Sequence, residues 1–196
     1  MARDDGVAQV QRLVLLRLLD GVRPSGALEW VPRVAPAVTQ AVVGAGHWAA
    51  GRRRRALAAW AAAAGFGLVA WGLGAEAPTR AEADKNIEQQ KDLLRKRGIQ
   101  VPATAGTQNG LSQGSLHALD ALVASIRMVF GVRSGLRHPR RLPVFAITDE
   151  APAVVFYALR AARAVQRRRP RIAAGSALVV AGSVARLRAA SAEPLR

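Results

Sequence analysis

Twenty consecutive uncharged residues, ALAAWAAAAGFGLVAWGLGA at positions 56–75, constrain the fold more than any other feature of the sequence. An α-helix of this length spans about 30 Å, which is the thickness of the hydrocarbon core of a bilayer. The sequence therefore predicts a transmembrane helix over 56–75. The alternative is a helix buried inside a soluble protein, because Ala and Gly are only mildly apolar.

A second uncharged stretch, 34–51, precedes this run, although Pro36, Gln40 and His47 interrupt it. Four arginines separate the two stretches, so the pattern predicts a helical hairpin with a charged turn. A charged side chain at mid-bilayer costs about 2.5–3.5 kcal/mol, whereas an Arg beside an anionic lipid surface gains about 1 kcal/mol. We expect these residues to bind anionic phospholipid, with cardiolipin as one candidate: Arg52, Arg53, Arg54 and Arg55. The competing interpretation is that they bind the phosphates of a nucleic acid.

The four tryptophans sort by their distance from this turn. Trp48 and Trp60 lie close to it, one on each arm, and Trp30 and Trp71 lie far from it, again one on each arm. Trp is enriched at both membrane–water interfaces. The spacing predicts two interfacial belts separated by the hydrocarbon layer.

Small residues recur every fourth position on both arms, a pattern that lets membrane helices approach closely. We expect the two arms of the hairpin to pack through these residues: Ala37, Ala41, Ala45 and Ala49 on the first arm, and Ala59, Ala63 and Gly67 on the second.

The segment that follows the hairpin is polar and contains all the lysines of the chain. Thr79 and Glu82 have the spacing of a capping box, and Gly98 stands where a glycine ends a helix. The pattern predicts a solvent-exposed helix of about 18 residues, followed by a linker. Three segments result: 1–75 with an amphipathic helix over 7–19 and the first hairpin, 76–115 with the soluble helix and linker, and 116–196.

The third segment repeats the plan of the first, which indicates a diverged tandem duplication or chance similarity in a sequence rich in Ala and Arg. An amphipathic helix is predicted over 116–132, Asp149 and Glu150 are expected to cap the next helix, and 172–185 offers only fourteen apolar residues before Arg186. This second hairpin is therefore the weaker candidate for spanning a membrane. It is expected to cross a thinned region of the bilayer or to lie on the membrane surface. Its arginine turn is expected to bind anionic lipid on the same side of the membrane as the first: Arg167, Arg168, Arg169 and Arg171.

No catalytic constellation is visible in the sequence. The histidines, His47, His117 and His138, are far apart and in no metal-ligand spacing, and the chain has no cysteine. A haem or pigment bound by His47 is an alternative to a packed histidine. We therefore expect no enzymatic activity, no metal and no cofactor other than bound phospholipid.

The net charge of +16 predicts an anionic partner, while the apolar fraction of 51% favours a membrane over a ribosome. The fold class expected is all-α, an integral membrane protein with one or two transmembrane hairpins, amphipathic helices and one soluble helix. The function expected is that of a non-catalytic accessory subunit of a membrane complex, such as a mitochondrial respiratory complex or ATP synthase. The alternative functions are those of a ribosomal protein that binds rRNA and of a peripheral membrane-shaping protein. The alternative membrane is a bacterial inner membrane.

Overall fold

The computed structural model describes residues 2–99, 101 and 143–191, and every regular element in these residues is an α-helix. The helices are α1 (Ala2–Asp20), α2 (Ala27–Ala49), α3 (Arg53–Glu76), α4 (Arg80–Lys96), α5 (Pro143–Gln166) and α6 (Pro170–Ser191). The predicted all-α class is confirmed for this part of the chain. The helix predicted over 116–132 lies outside the described residues.

Both arginine-rich segments form the turns of helical hairpins. Helix α2 ends in a Schellman motif, in which the N–H of Arg52 donates to the carbonyl of His47 (2.9 Å) and Gly51 has a positive φ of 74°. Helix α5 ends in the same way, with the N–H of Arg169 donating to the carbonyl of Ala164 (2.9 Å). Glycine usually occupies the left-handed position of this motif, and Arg168 occupies it here with φ 55°. In both predicted hairpins, the first helix therefore ends in the same Schellman geometry.

The two hairpins pack against each other through α3 and α6, which share the largest interface among the described helices. These two helices run antiparallel, because Gly72 contacts Ile172 near the start of α6 whereas Ala58 contacts Gly182 near its end. We call the two ends of the bundle the first-turn end, which carries Arg52–Arg55, and the second-turn end, which carries Arg167–Arg169. The prediction that both turns lie on the same side is wrong, because the antiparallel pairing places them at opposite ends.

Glycines at heptad spacing make the α3–α6 interface close. A Cβ atom on Gly65 would lie 2.6 Å from the backbone nitrogen of Val179, and one on Gly175 would lie 2.7 Å from the backbone nitrogen of Val69. Contacts this short with backbone atoms exclude any side chain at either position. We call the interface formed at these two glycines, together with Gly72 and Gly182, the glycine seam.

Helix α2 packs on α3 through a different kind of contact, in which a tryptophan of each helix covers a glycine of the other. The ring of Trp60 covers Gly44, and the ring of Trp30 covers Gly74. The predicted small-residue contact between these helices is wrong at most of its positions, since Gly67 has no neighbour within 4 Å and three of the alanines are exposed: Ala41, Ala45 and Ala49. The bulky indole rings set the spacing between the helices, so the alanine face points outward.

Helices α1 and α4 pack on each other beyond the second-turn end. The capping box is confirmed, because the Thr79 side chain accepts from the N–H of Glu82 (3.3 Å) and the Glu82 carboxylate accepts from the N–H of Thr79 (2.8 Å). Gly98, with φ 77°, ends α4 as predicted. The side chain of Arg17 on α1 donates to Asp84 on α4 (2.7 Å).

The cap predicted for the second hairpin is wrong. Helix α5 begins at Pro143, so Asp149 and Glu150 lie within the helix and are not its caps. Among the described helices, the two that are long and apolar enough to cross a membrane are α3 and α6, the latter over Pro170–Ala189. Helix α6 qualifies by length and composition although arginines lie at both ends of its apolar stretch 172–185, whereas α2 does not qualify. Whether this arm crosses a thinned region or lies on the membrane surface stays a prediction.

Candidate functional site

Helix α2 has its polarity reversed relative to a helix of a soluble protein. Among the positions of α2 whose exposure the structure describes, every exposed residue is Ala, Val, Leu or Trp: Ala27, Leu28, Val31, Val34, Val38, Ala41, Val42, Ala45, Trp48 and Ala49. Its buried face carries the polar residues Arg33, Thr39, Gln40 and His47 instead. A soluble helix directs its apolar stripe to the core and its polar face to water.

The same pattern continues around the bundle. Between 57 and 75 on α3, 155 and 165 on α5, and 172 and 187 on α6, the exposed positions are again all apolar: Leu57, Ala64, Trp71, Ala75, Val155, Ala158, Leu159, Ala162, Val165, Ala174, Ala177, Leu178, Ala181 and Ala185. We call this surface, together with the exposed face of α2, the apolar belt. Helix α4 differs, because most of its exposed residues are charged or polar.

Inside the belt, three polar side chains of α2 recur at heptad spacing, and the middle one contacts the second hairpin. Gln40 accepts a hydrogen bond from Arg186 of α6, which also donates to Ser183 (3.3 Å). Arg33 and His47 lie one heptad before and after Gln40, and both are 8% exposed. The residues that interrupt the apolar pattern of this stretch are therefore the ones that point inward.

At the first-turn end, three of the four consecutive arginines lie away from any acid of the described residues. Arg52, Arg53 and Arg54 have no carboxylate within salt-bridge distance in the described part of the chain, and no acid lies in the first turn of α3. Arg55 is buried at 9% exposure. Because a helix N-terminus is itself positive, this end of the bundle concentrates positive charge that an anion would neutralise.

Two tryptophans stand beside this block. The rings of Trp48 and Trp60 lie 5.5 Å apart, and the guanidinium of Arg53 lies 5.5 Å from the ring centre of Trp48. The indole N–H of Trp60 donates to the carbonyl of Ala41 (3.1 Å), which fixes the ring. Arginines with adjacent indole rings are the combination expected where a helix meets the head groups of a bilayer.

At the second-turn end, the arginines bind other parts of the chain. Arg163 makes two hydrogen bonds to the carboxylate of Asp20 (3.0 and 3.1 Å), and Arg169 donates to the Asp20 carbonyl (2.9 Å). Arg160 donates to the carbonyls of Leu18 and Leu19 (3.0 and 3.2 Å). Arg160, Arg163 and Arg169 therefore bind the C-terminal end of α1, which is negatively polarised. We call these three arginines the α1 clamp. Burial lowers the pKa of Arg169, while the charge of Asp20 acts in the opposite direction.

The remaining arginines of the second turn differ in their surroundings. Arg171 lies 3.6 Å from Glu76 and stacks 4.5 Å from the ring centre of Trp71. Arg167 lies 3.9 Å from Asp20, and Arg168 is exposed. The carboxylates of Asp20 and Glu76 therefore offset part of the charge of the second block, whereas no carboxylate in the described residues lies within salt-bridge distance of Arg52, Arg53 or Arg54.

The structure brings the predicted tryptophans together in two sets, with Trp48 and Trp60 at the first-turn end and Trp30 and Trp71 at the other. On α2 the two levels are 18 residues apart, about 27 Å, but on α3 they are 11 residues apart, about 16 Å. The second distance is only half of a hydrocarbon core. The interfacial role of these residues stays a prediction.

Among the described residues, no group of three His, Cys, Asp or Glu could hold a metal ion. His47 lies buried in the last turn of α2, and the other two histidines lie outside the described residues. Sequence reasoning missed Arg33, Arg160 and Asp20, although the heptad spacing of Arg33 with Gln40 and His47 was a usable signal.

Comparisons with protein-family models, with curated proteins and with solved structures return no match for this chain.

Proposed function

We propose that the chain is a non-catalytic structural subunit of a membrane protein complex, inserted as a four-helix unit that binds anionic phospholipid. The observation that carries the proposal is the reversed polarity of α2, which exposes Val34, Val38 and Val42 and buries Arg33 and Gln40. In water this arrangement would be doubly unfavourable, because apolar surface stays exposed and polar groups are buried. In a bilayer the exposed apolar face contacts lipid without this cost, and the polar side chains are better placed inside the bundle than against the hydrocarbon.

The lipid-binding part of the proposal rests on the first turn. Arg52, Arg53 and Arg54 form a positive cluster with no acid partner in the described residues, and they stand beside the Trp48–Trp60 pair at the end of the apolar belt. Such a cluster is suited to the phosphate of a lipid head group, since Arg binds phosphate through paired hydrogen bonds. The second turn contributes less, because the α1 clamp and Glu76 engage most of its arginines.

The membrane that we propose is the mitochondrial inner membrane, and the complex is a respiratory complex or ATP synthase. The net charge of +16 and the free arginine cluster support a membrane in which cardiolipin is available as a ligand. The bacterial inner membrane offers the same ligand chemistry. Native electrophoresis of gently solubilised membranes, followed by identification of the co-migrating proteins, tests the choice of complex.

Insertion is tested with single cysteines, which is practical because the chain has none of its own. Val38→Cys and Leu178→Cys face the apolar belt and should resist a water-soluble maleimide in intact membranes. Gln89→Cys, on the exposed face of α4, is the matched control and should react readily. Ready labelling at both belt positions would show that the bundle is not inserted.

A parallel fractionation separates the alternatives. An integral subunit stays in the membrane pellet after carbonate washing, and a peripheral membrane-shaping protein is released. A protein that binds rRNA sediments with ribosomes and shows salt-sensitive RNA affinity. Either of the last two results would overturn the proposal.

A further inference from the structure

Arg33 is a buried cation, and part of its hydrogen-bonding capacity is unmet within the described part of the chain. Its side chain is 8% exposed, and its Nε and Nη1 atoms are buried without a hydrogen-bond partner in the described part of the chain. The charge of Glu29, one turn earlier on α2, offsets part of the charge of Arg33. No salt bridge joins the two side chains, because the Glu29 carboxylate accepts from the N–H and the hydroxyl of Ser25 (both 3.0 Å). A buried guanidinium without partners is costly unless an anion reaches it.

The neighbouring charge increases this cost. Arg160 of α5 lies near enough for its positive charge to repel that of Arg33. Arg160 directs its own donors to the carbonyls of Leu18 and Leu19 in the α1 clamp, so its charge is not neutralised by a carboxylate there. Arg33 and Arg160 are therefore like charges on α2 and α5, which share no extensive interface among the described helices, and Glu29 offsets only part of this charge. The missing component of this site is negative.

The position of Arg33 indicates where the negative group comes from. Trp30, one turn before it, covers Gly74, two residues from the last residue of α3, so the site lies near the second-turn end of the apolar belt. Leu28, Val31 and Val34 are exposed on the adjacent face of α2. A ligand with an anionic head and apolar chains would satisfy both surfaces at once.

We propose that Arg33 binds the phosphate of an anionic phospholipid whose head group enters between α2 and α5 at the second-turn end. This inference rests on the proposed membrane insertion. It gives the bundle two lipid sites at opposite ends, one at Arg33 and one at the Arg52–Arg54 cluster, and so one in each leaflet. A zwitterionic lipid is a poorer ligand, because its own cation would add to the charges of Arg33 and Arg160.

Native mass spectrometry of the full chain, purified in detergent and supplied with phosphatidylglycerol, tests this inference. The wild type should retain two tightly bound phosphatidylglycerol molecules and few phosphatidylcholine molecules. Arg33→Gln should retain one, with phosphatidylglycerol affinity at the lost site reduced about tenfold or more, the size expected when a charge-assisted hydrogen bond is removed. Arg33→Lys keeps the charge and should restore most of the binding. Arg12→Gln, on the exposed part of α1, is the control and should retain two.

The outcomes separate this inference from the proposed function. If Arg33→Gln still retains two lipids while the triple Gln variant at 52–54 retains one, the inference is overturned and the first-turn site stands. If inorganic phosphate or a free fatty acid saturates the site as well as the lipid does, the ligand is a free anion and the proposal for a phospholipid is overturned. Loss of a co-purifying subunit from Arg33→Gln, without loss of lipid, would assign Arg33 to an acidic partner helix instead. Release of the wild type by carbonate would overturn the proposed insertion itself.

Discussion

Arg163 holds the carboxylate of Asp20 through two hydrogen bonds, and both side chains are less than one fifth exposed. Such paired, partly buried contacts are stronger than exposed ion pairs, because solvent screens them less and the guanidinium matches the carboxylate. This contact joins the end of α1 to α5. Arg163 therefore links α1 to the helical bundle.

We predict that Arg163→Ala loosens α1 at its C-terminal end. The variant leaves the Asp20 carboxylate partly buried with its main partner removed, at a cost of about 1–3 kcal/mol. Hydrogen exchange should become faster in the last turns of α1, and the Tm should fall. The control is Arg168→Ala, since Arg168 is exposed in the same turn. Equal exchange rates in the two variants would contradict the role assigned to the α1 clamp.

At the scale of the elements, the glycine seam fixes the distance between α3 and α6. We predict that Gly65→Ala destabilises the protein, because the added Cβ would meet the backbone nitrogen of Val179 at 2.6 Å and the helices must move apart. Overpacking of this kind costs about 1–3 kcal/mol, which should appear as a lower Tm in detergent.

The matched control is Gly67→Ala, two residues further along α3, where an added Cβ has no neighbour within 4 Å. This variant should be unchanged or more stable by up to about 1 kcal/mol, because Ala is the better helix former. Similar losses in both variants would contradict the antiparallel glycine seam.

The capping box of α4 makes that helix sensitive to acid. The N–H and hydroxyl of Thr79 donate to the Glu82 carboxylate and lower the pKa of Glu82 below its ordinary value of 4.5. The contribution of the carboxylate is therefore present above the ordinary pKa and is lost as the pH falls through the lowered folded pKa.

We predict that the Glu82 carboxyl resonance titrates at a lower pH than an ordinary glutamate in an NMR titration. Fraying at the start of α4 should accompany that titration. Glu82→Gln is the control, and its first turn should no longer respond to acid in this range. Titration of Glu82 at the ordinary value would contradict the capping geometry.

Some elements could be predicted from the sequence because their signals are local. The run at 56–75 predicted α3, the Thr79–Glu82 spacing predicted the start of α4, and each arginine block marked a turn. The orientation of the hairpins could not be predicted in the same way, because it depends on contacts between Gly65 and residues 110 positions later. The repeated units also suggested that both arginine turns lie on the same side, which the antiparallel packing of α3 and α6 contradicts.

The candidate site was predicted only in part, because only its local features are visible in the sequence. The arginines at 52–55 are adjacent in sequence, so their cluster was visible. Gln40 and His47 were taken as interruptions of an apolar stretch, although their heptad spacing with Arg33 marks one face of α2. The spacing marks a polar face, but the burial of that face depends on contacts with other helices, such as that of Gln40 with Arg186.

At the scale of the whole molecule, the antiparallel hairpins place the two turns on opposite sides of any membrane that the bundle spans. We predict that Arg54→Cys and Arg168→Cys, both at exposed positions, react with an impermeant maleimide from opposite sides of sealed vesicles. Gln89→Cys on α4 should react from the same side as Arg168→Cys, because α4 packs with α1 beyond that end. Labelling of both turns from one side would contradict the packing of α3 against α6.

The glycine seam also has a consequence for synthesis of the chain. Gly65 and its contact Gly175 are 110 residues apart, so at the usual 5–20 residues per second roughly 5 to 20 s separate their translation. During that interval the groove of α3 at Ala58, Gly65 and Gly72 lacks its partner and can pair with the same groove on another nascent chain. We expect a chain truncated at residue 99 to self-associate, with a cysteine at position 58 giving disulfide-linked dimers that the full-length chain does not form. The order in which the halves leave the ribosome would then determine how much of the protein reaches its folded state.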